Sequence, residues 1–86
     1  MATYRSIRRD PDFDAQLNEL IYDVRRADEF VEAAEWVLSR NPYEGTRLSG
    51  GPVWFLPMRS IPDQPSAVIY YAFNDDWVVF LRIEIV

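Results

Sequence analysis

The strongest constraint on this chain is the order in which its hydrophobic pattern changes. The second half, Asn41 to Val86, reads NPYEGTRLSGGPVWFLPMRSIPDQPSAVIYYAFNDDWVVFLRIEIV. A turn-rich junction leads into three apolar runs rich in β-branched and aromatic residues, separated by Pro/Asp/Ser and Asn-Asp-Asp breaks. Runs of that composition between turn residues are strands. The half before it is charged and has a helical period. Two helices followed by a three-stranded meander leave few folds open, all of the α+β class.

Thr3 to Arg8 alternates weakly and is expected to be an edge or parallel strand. Asp10-Pro11 starts a helix, with an acid at the N-cap and Pro at the first helical position. Phe13, Leu17, Leu20, Ile21 and Val24 then form one apolar helical face, and Arg25-Arg26 suits a last turn beside the negative end of the dipole. A second face follows in Phe30, Ala33, Ala34, Val37 and Leu38, with Val31 at its side and Asp28 as an N-cap or first-turn acid. The break between helices is expected within Val24 to Asp28. Trp36 falls off the stripe. Asn41-Pro42 ends the second helix, because a residue before Pro avoids the α region.

Tyr43 to Gly51 reads as a loop and Val53 to Arg59 as a strand, which Pro57 confines to an edge or a bulge. Ile61 to Ser66 reads as a turn, Ala67 to Phe73 as a buried strand, and Asn74-Asp75-Asp76 as a hairpin turn. In Trp77 to Val86, the set Trp77, Val79, Leu81, Ile83 and Ile85 is expected to make a clean apolar face. Val78, Phe80, Arg82 and Glu84 would make a mixed one.

Composition narrows the chemistry. The 86 residues are expected to form one domain, and 49% apolar content is ample for a packed core. There is no Cys and no His, so thiolate chemistry and the commonest general base and metal ligand are missing. Asp10, Asp12 and Asp14 lack the Gly and Glu of a calcium loop, so no metal or cofactor is expected. The loop around Gly45, Gly50 and Gly51 lacks the sequence of a phosphate cradle. No stretch approaches the roughly 20 apolar residues of a membrane span, and MATYRSIRRD has no apolar signal core. The expected location is the cytoplasm. All nine basic residues are Arg, against fourteen acids, for a net charge of -5. That balance disfavours wholesale nucleic-acid binding.

The succession of helix hairpin, NPYEGTRLSGG, VWFLPMR, SAVIYYAFNDD and WVVFLRIEI resembles the RelE/ParE superfamily of small toxins of type II toxin–antitoxin pairs. Pro42, Gly45, Arg47-Leu48, Gly50, Val68-Ile69-Tyr70 and Val79 to Ile83 carry the resemblance, which spans nearly the whole chain. It implies a β-α-α-β-β-β order, with the helix hairpin packed on a small, mainly antiparallel four-stranded sheet. It implies a toxin that inhibits translation, by ribosome-associated mRNA cleavage or by binding, with an antitoxin-like protein as partner. The chain departs from the ribonuclease members where they carry basic residues. The matching positions are Phe55 and Pro57, Ala67 before Val68-Ile69-Tyr70, and the neighbourhood of Ile85-Val86. The expected catalytic set is therefore reduced to Arg59, Arg82 and Tyr70, with Arg47 as a phosphate contact.

Cleavage by 2′-OH attack needs a base, an acid and cationic stabilisation. Arg59 and Arg82 can supply the last. Glu84 lies beside Arg82 at i, i+2, on the same strand face; the ordinary structural alternative is a surface charge pair. Three Trp, five Tyr and five Phe cannot all be buried in a chain this small. Trp54, Tyr71 and Trp77 are expected on a partner-binding surface, for an antitoxin or a second copy of the chain. Two other readings use the same scaffold: a non-catalytic interaction module, and a gyrase-directed inhibitory binder of the ParE type.

Overall fold

The computed structural model describes residues 4–21, 23–58 and 66–85. The order is β1 (Ser6–Arg9), α1 (Pro11–Leu20), α2 (Val24–Arg40), a 3-10 turn (Pro42–Glu44), β2 (Thr46–Arg47), β3 (Trp54–Met58), β4 (Ala67–Phe73) and β5 (Trp77–Ile85). The sheet runs β1-β5-β4-β3-β2. Among the described residues, only the β1–β5 pair is parallel. The sheet has five strands where four were expected. The addition is the two-residue β2, formed where the chain coming off the 3-10 turn pairs with Trp54 and Phe55. Pro57 is tolerated because it lies beyond β2, on the part of β3 that is an edge among the described residues. The expected turn from Ile61 to Ser66 lies, except for Ser66, outside the described residues.

Local chemistry sets both helix starts. The Asp10 carboxylate accepts from the Asp12 N–H at 2.9 Å. Asp23 does the same for α2, accepting from the N–H groups of Arg25 and Arg26 at 3.0 and 3.4 Å. This corrects the expected helix break. Arg25 and Arg26 open α2 instead of closing α1, the cap is Asp23 and not Asp28, and Val24 is 70% exposed. Two cations in a first turn oppose the dipole by about 0.3–1 kcal/mol each. Asp23 offsets this as a cap and as an ion-pair partner of Arg26 at 3.9 Å, and Glu29 pairs with Arg25 at 3.5 Å.

The helices cover one sheet face. Phe13 and Leu17 of α1, with Ala27, Phe30, Val31, Ala34 and Leu38 of α2, meet Leu56, Ala67, Ile69, Tyr71, Val78, Phe80 and Ile83. Phe13 packs on Phe80 with ring centroids 5.3 Å apart. The expected face of β5 is overturned here. Val78, Phe80 and Ile83 are buried, and Trp77, Val79 and Leu81 are not. A β-bulge is the reason. Tyr71 pairs with Phe80 and Tyr70 with Arg82, so Leu81 is the extra residue that switches the parity of the strand. Beyond the end of β1, the Ile83 N–H at the outer edge of β5 is taken by Gln16 Oε1 of α1 at 3.1 Å.

Candidate functional site

No described helix lies on the opposite sheet face. The register sets Phe55, Tyr70 and Arg82 in one row across it, with Pro57, Val68 and Glu84 in the next. Arg8, Val79 and Ala72 form a third row on the far side. β3, β4 and β5 thus bring Tyr70, Arg82 and Glu84 together from strands that their own sequences space only by alternation.

Glu84 is the centre of this group. Its Oε1 takes the Arg82 Nε at 2.9 Å, and its Oε2 accepts from the Tyr70 hydroxyl at 3.2 Å. The phenol reaches the carboxylate along a cross-strand diagonal, since Glu84 pairs with Val68 and Tyr70 with Arg82. Phe55 flanks Tyr70 with centroids 6.4 Å apart. Partial desolvation raises the Tyr70 pKa first, and the hydrogen bond and negative charge of Glu84 raise it further; Arg82 pulls the other way. A phenol raised in this way keeps its proton at neutral pH. It is a donor, never a base, there. Glu84 is the carboxylate of the cluster, but both of its oxygens are engaged. The Arg82 charge is in turn offset by Glu84, which leaves little net positive potential for a phosphate.

The other expected residues lie elsewhere. Arg59 falls outside the described residues. Arg47 pairs with Trp54, one residue out of phase with the Phe55–Tyr70 row, and so belongs to the helix-side face. Its guanidinium donates to the Gly51 and Gly50 carbonyls, each at 2.9 Å, and braces its own turn. Tyr71 corrects the expectation of a partner surface: it is 0% exposed. It sits on the inward face of β4, where its hydroxyl donates to the Pro42 carbonyl at 2.5 Å and accepts from the Gly45 N–H at 3.2 Å. Burial pushes its pKa up to about 12. Trp54 is half-buried against Tyr43 and Phe73. Trp77 lies on the open face, with the Arg8 guanidinium 3.3 Å from its ring centroid.

Sequence reasoning missed one aromatic cluster. Arg40 stacks on both Trp36 and Tyr4, on the outer side of α2. The signal was present, because Trp36 and Arg40 are i, i+4 neighbours on a helix. No group of His, Cys, Asp or Glu among the described residues has the geometry of a metal site. Among the described residues, no helix is long and apolar enough to cross a membrane.

No protein-family model and no curated protein matches this sequence. Among solved structures, a chain of the toxin–antitoxin complex RelBE2 from Mycobacterium tuberculosis superposes on it with a TM-score of 0.73. The match covers 100% of this chain and 95% of that one, at 22% sequence identity. The likeness is one of fold, and it extends over both helices and the whole sheet: this chain is built on a RelE-like α+β fold.

Proposed function

We propose that this chain is the toxin-like member of a type II toxin–antitoxin pair, held by an antitoxin-like protein in the cytoplasm, and that it acts by binding its target. The end-to-end fold likeness supports the first part. One observation carries the second: Arg82 is tied to Glu84, and Glu84 to Tyr70. A cleavage site for RNA needs an unengaged base and surplus positive charge at the phosphate. This cluster supplies neither among the described residues. The face around it, with Phe55, Tyr70, Val79 and Trp77, is better suited to recognition through aromatic and aliphatic contact.

Induced expression tests this directly. Growth arrest is expected from the wild type and from Tyr70→Phe and Glu84→Gln, because neither change removes the apolar surface. Arrest is expected to fail when Phe55 and Val79 are both changed to Ser. Loss of arrest in Glu84→Gln, with retention in the Phe55/Val79 variant, would mean that the carboxylate does chemistry. Absence of arrest in the wild type would favour an interaction module on the same scaffold. The partner is tested by coexpression: a small protein encoded beside this one should copurify and suppress the arrest.

A further inference from the structure

Apart from Arg47, which braces its own turn, the described cations fall into two kinds. Arg9, Arg25, Arg26 and Arg82 each pair with a carboxylate. Arg5, Arg8 and Arg40 meet no carboxylate among the described residues, although acids outnumber bases fourteen to nine. They stack on rings instead. The Arg40 guanidinium lies 4.1 Å from the Trp36 centroid and 4.4 Å from that of Tyr4. One of its amino groups is anchored on the Trp36 carbonyl at 3.0 Å. Arg5 lies 5.6 Å from the Phe73 centroid, and its Nε donates to the Asn74 carbonyl at 2.6 Å. The Arg5 N–H binds the Ser39 carbonyl at 3.0 Å, which ties this second stack to the end of α2. Phe73 continues edge-on into Tyr43, at 5.0 Å.

Burial does not explain these rings. Tyr4, Trp36 and Tyr43 are 56%, 61% and 63% exposed. A guanidinium held between two rings keeps its in-plane donors available and has already lost much of its rotamer freedom. Exposed Trp, Tyr and Arg side by side are the residue types that dominate interface energies. We infer that this strip docks a protein segment carrying a carboxylate beside an apolar anchor. A carboxylate meets the free edge of Arg40, and the anchor lies along Trp36 and Tyr4. The charge pattern selects that occupant over a nucleic acid. Glu32 and Glu35 lie close by on α2, Glu44 follows Tyr43, and the net charge is -5. A continuous phosphate chain must pass those acids, whereas one carboxylate needs only the Arg40 fork. The surface is separate from the Tyr70–Glu84–Arg82 face, and its failure would leave the toxin reading untouched.

Fluorescence anisotropy on the full chain tests the inference. The probes are a short, terminally blocked peptide with one Glu between Leu residues (Glu/Leu), its Gln/Leu counterpart, and single-stranded oligouridine RNA. The Glu/Leu peptide is expected to bind best. Its affinity should fall on the order of tenfold in Arg40→Gln and in Trp36→Ser, equivalent to about 1.4 kcal/mol. It should not change in Arg25→Gln, which removes a cation at the other end of α2. Both test positions are exposed, and far-UV circular dichroism checks that each variant is folded. Equal binding of the Gln/Leu peptide, or Glu/Leu binding unchanged in Arg40→Gln, overturns the proposal. So does oligouridine binding that is tighter than peptide binding and lost in Arg40→Gln. Dimerisation abolished by Arg40→Gln, without peptide binding, overturns it in favour of a second copy as the occupant.

Discussion

Gly45 and Tyr71 offer a paired test of how the helical half is fastened to the sheet. The Tyr71 hydroxyl bridges the Pro42 carbonyl and the Gly45 N–H. Tyr71→Phe removes both bonds and strands the carbonyl of a buried residue. A buried polar group left without its partner costs about 1–3 kcal/mol. For a domain of this size each kcal/mol lowers Tm by roughly 4–8 °C. Gly45→Ala attacks the same junction from the other side. Its φ of -79° suits any residue, so backbone conformation is no obstacle. Space is the obstacle. A Cβ there would sit 2.5 Å from the Phe55 carbonyl oxygen and closer still to the Tyr71 hydroxyl. A strand carbonyl cannot swing aside as a side chain does, so β3 must shift, at an overpacking cost of about 1–3 kcal/mol. The two changes are coupled, because Tyr71→Phe deletes the nearer of the two obstructing atoms. The double variant should therefore cost less than the sum, by on the order of 0.5–1 kcal/mol. Urea unfolding followed by Trp fluorescence and far-UV circular dichroism measures all three variants. A Tyr71→Phe cost below about 0.5 kcal/mol at unchanged m-value would refute the fastening argument. Strict additivity would refute the steric one.

With no Cys, Lys or His, tyrosines are the only side chains that titrate between about pH 8 and 12. Tyr71 is raised to about 12, above its ordinary value near 10, so the unfolded chain loses that proton first. Its stabilising contribution is whole below about pH 10 and is lost as pH rises towards 12. Tyr70 shifts in the same direction. Tyr71→Phe should show a shallower alkaline loss of stability than the wild type; identical slopes in urea titrations would contradict the assignment. Asp23→Ala removes the cap of α2 and should cost about 1 kcal/mol, more than Asp28→Ala, because Asp28 accepts from no amide of that first turn. Gln16→Ala deprives the Ile83 N–H of its acceptor. Hydrogen exchange at Ile83 should accelerate, while amides in the centre of β4 stay protected; an unchanged Ile83 rate would show that another group replaces the glutamine.

Much of the fold was legible because its signals are local. Asp10-Pro11, Asn41-Pro42 and the Asn74 turn each act through hydrogen bonds and sterics a few residues away. Asn74 Oδ1, for instance, accepts from the N–H groups of Asp76 and Trp77 at 2.8 and 3.0 Å. The helix break was misplaced because two signals competed. Arg25-Arg26 looked like a helix end, but the Asp23 side chain captured both of their N–H groups. Arg82 beside Glu84 was legible for the same reason as the turns, since i, i+2 neighbours share a strand face.

The sequence alone determined the order of the helices and the longer strands, the α+β class and the shortage of ionisable groups on the sheet. Only the tertiary structure decided which face each residue would occupy. The extra residue at Leu81 reverses the parity of β5, and it exists only in relation to the strand beside it. Tyr71 went into the core, Tyr70 onto the open face and Glu84 under its hydroxyl for the same reason. Alternation fixes relative orientation within a strand, but pairing with residues distant in the chain fixes the absolute one.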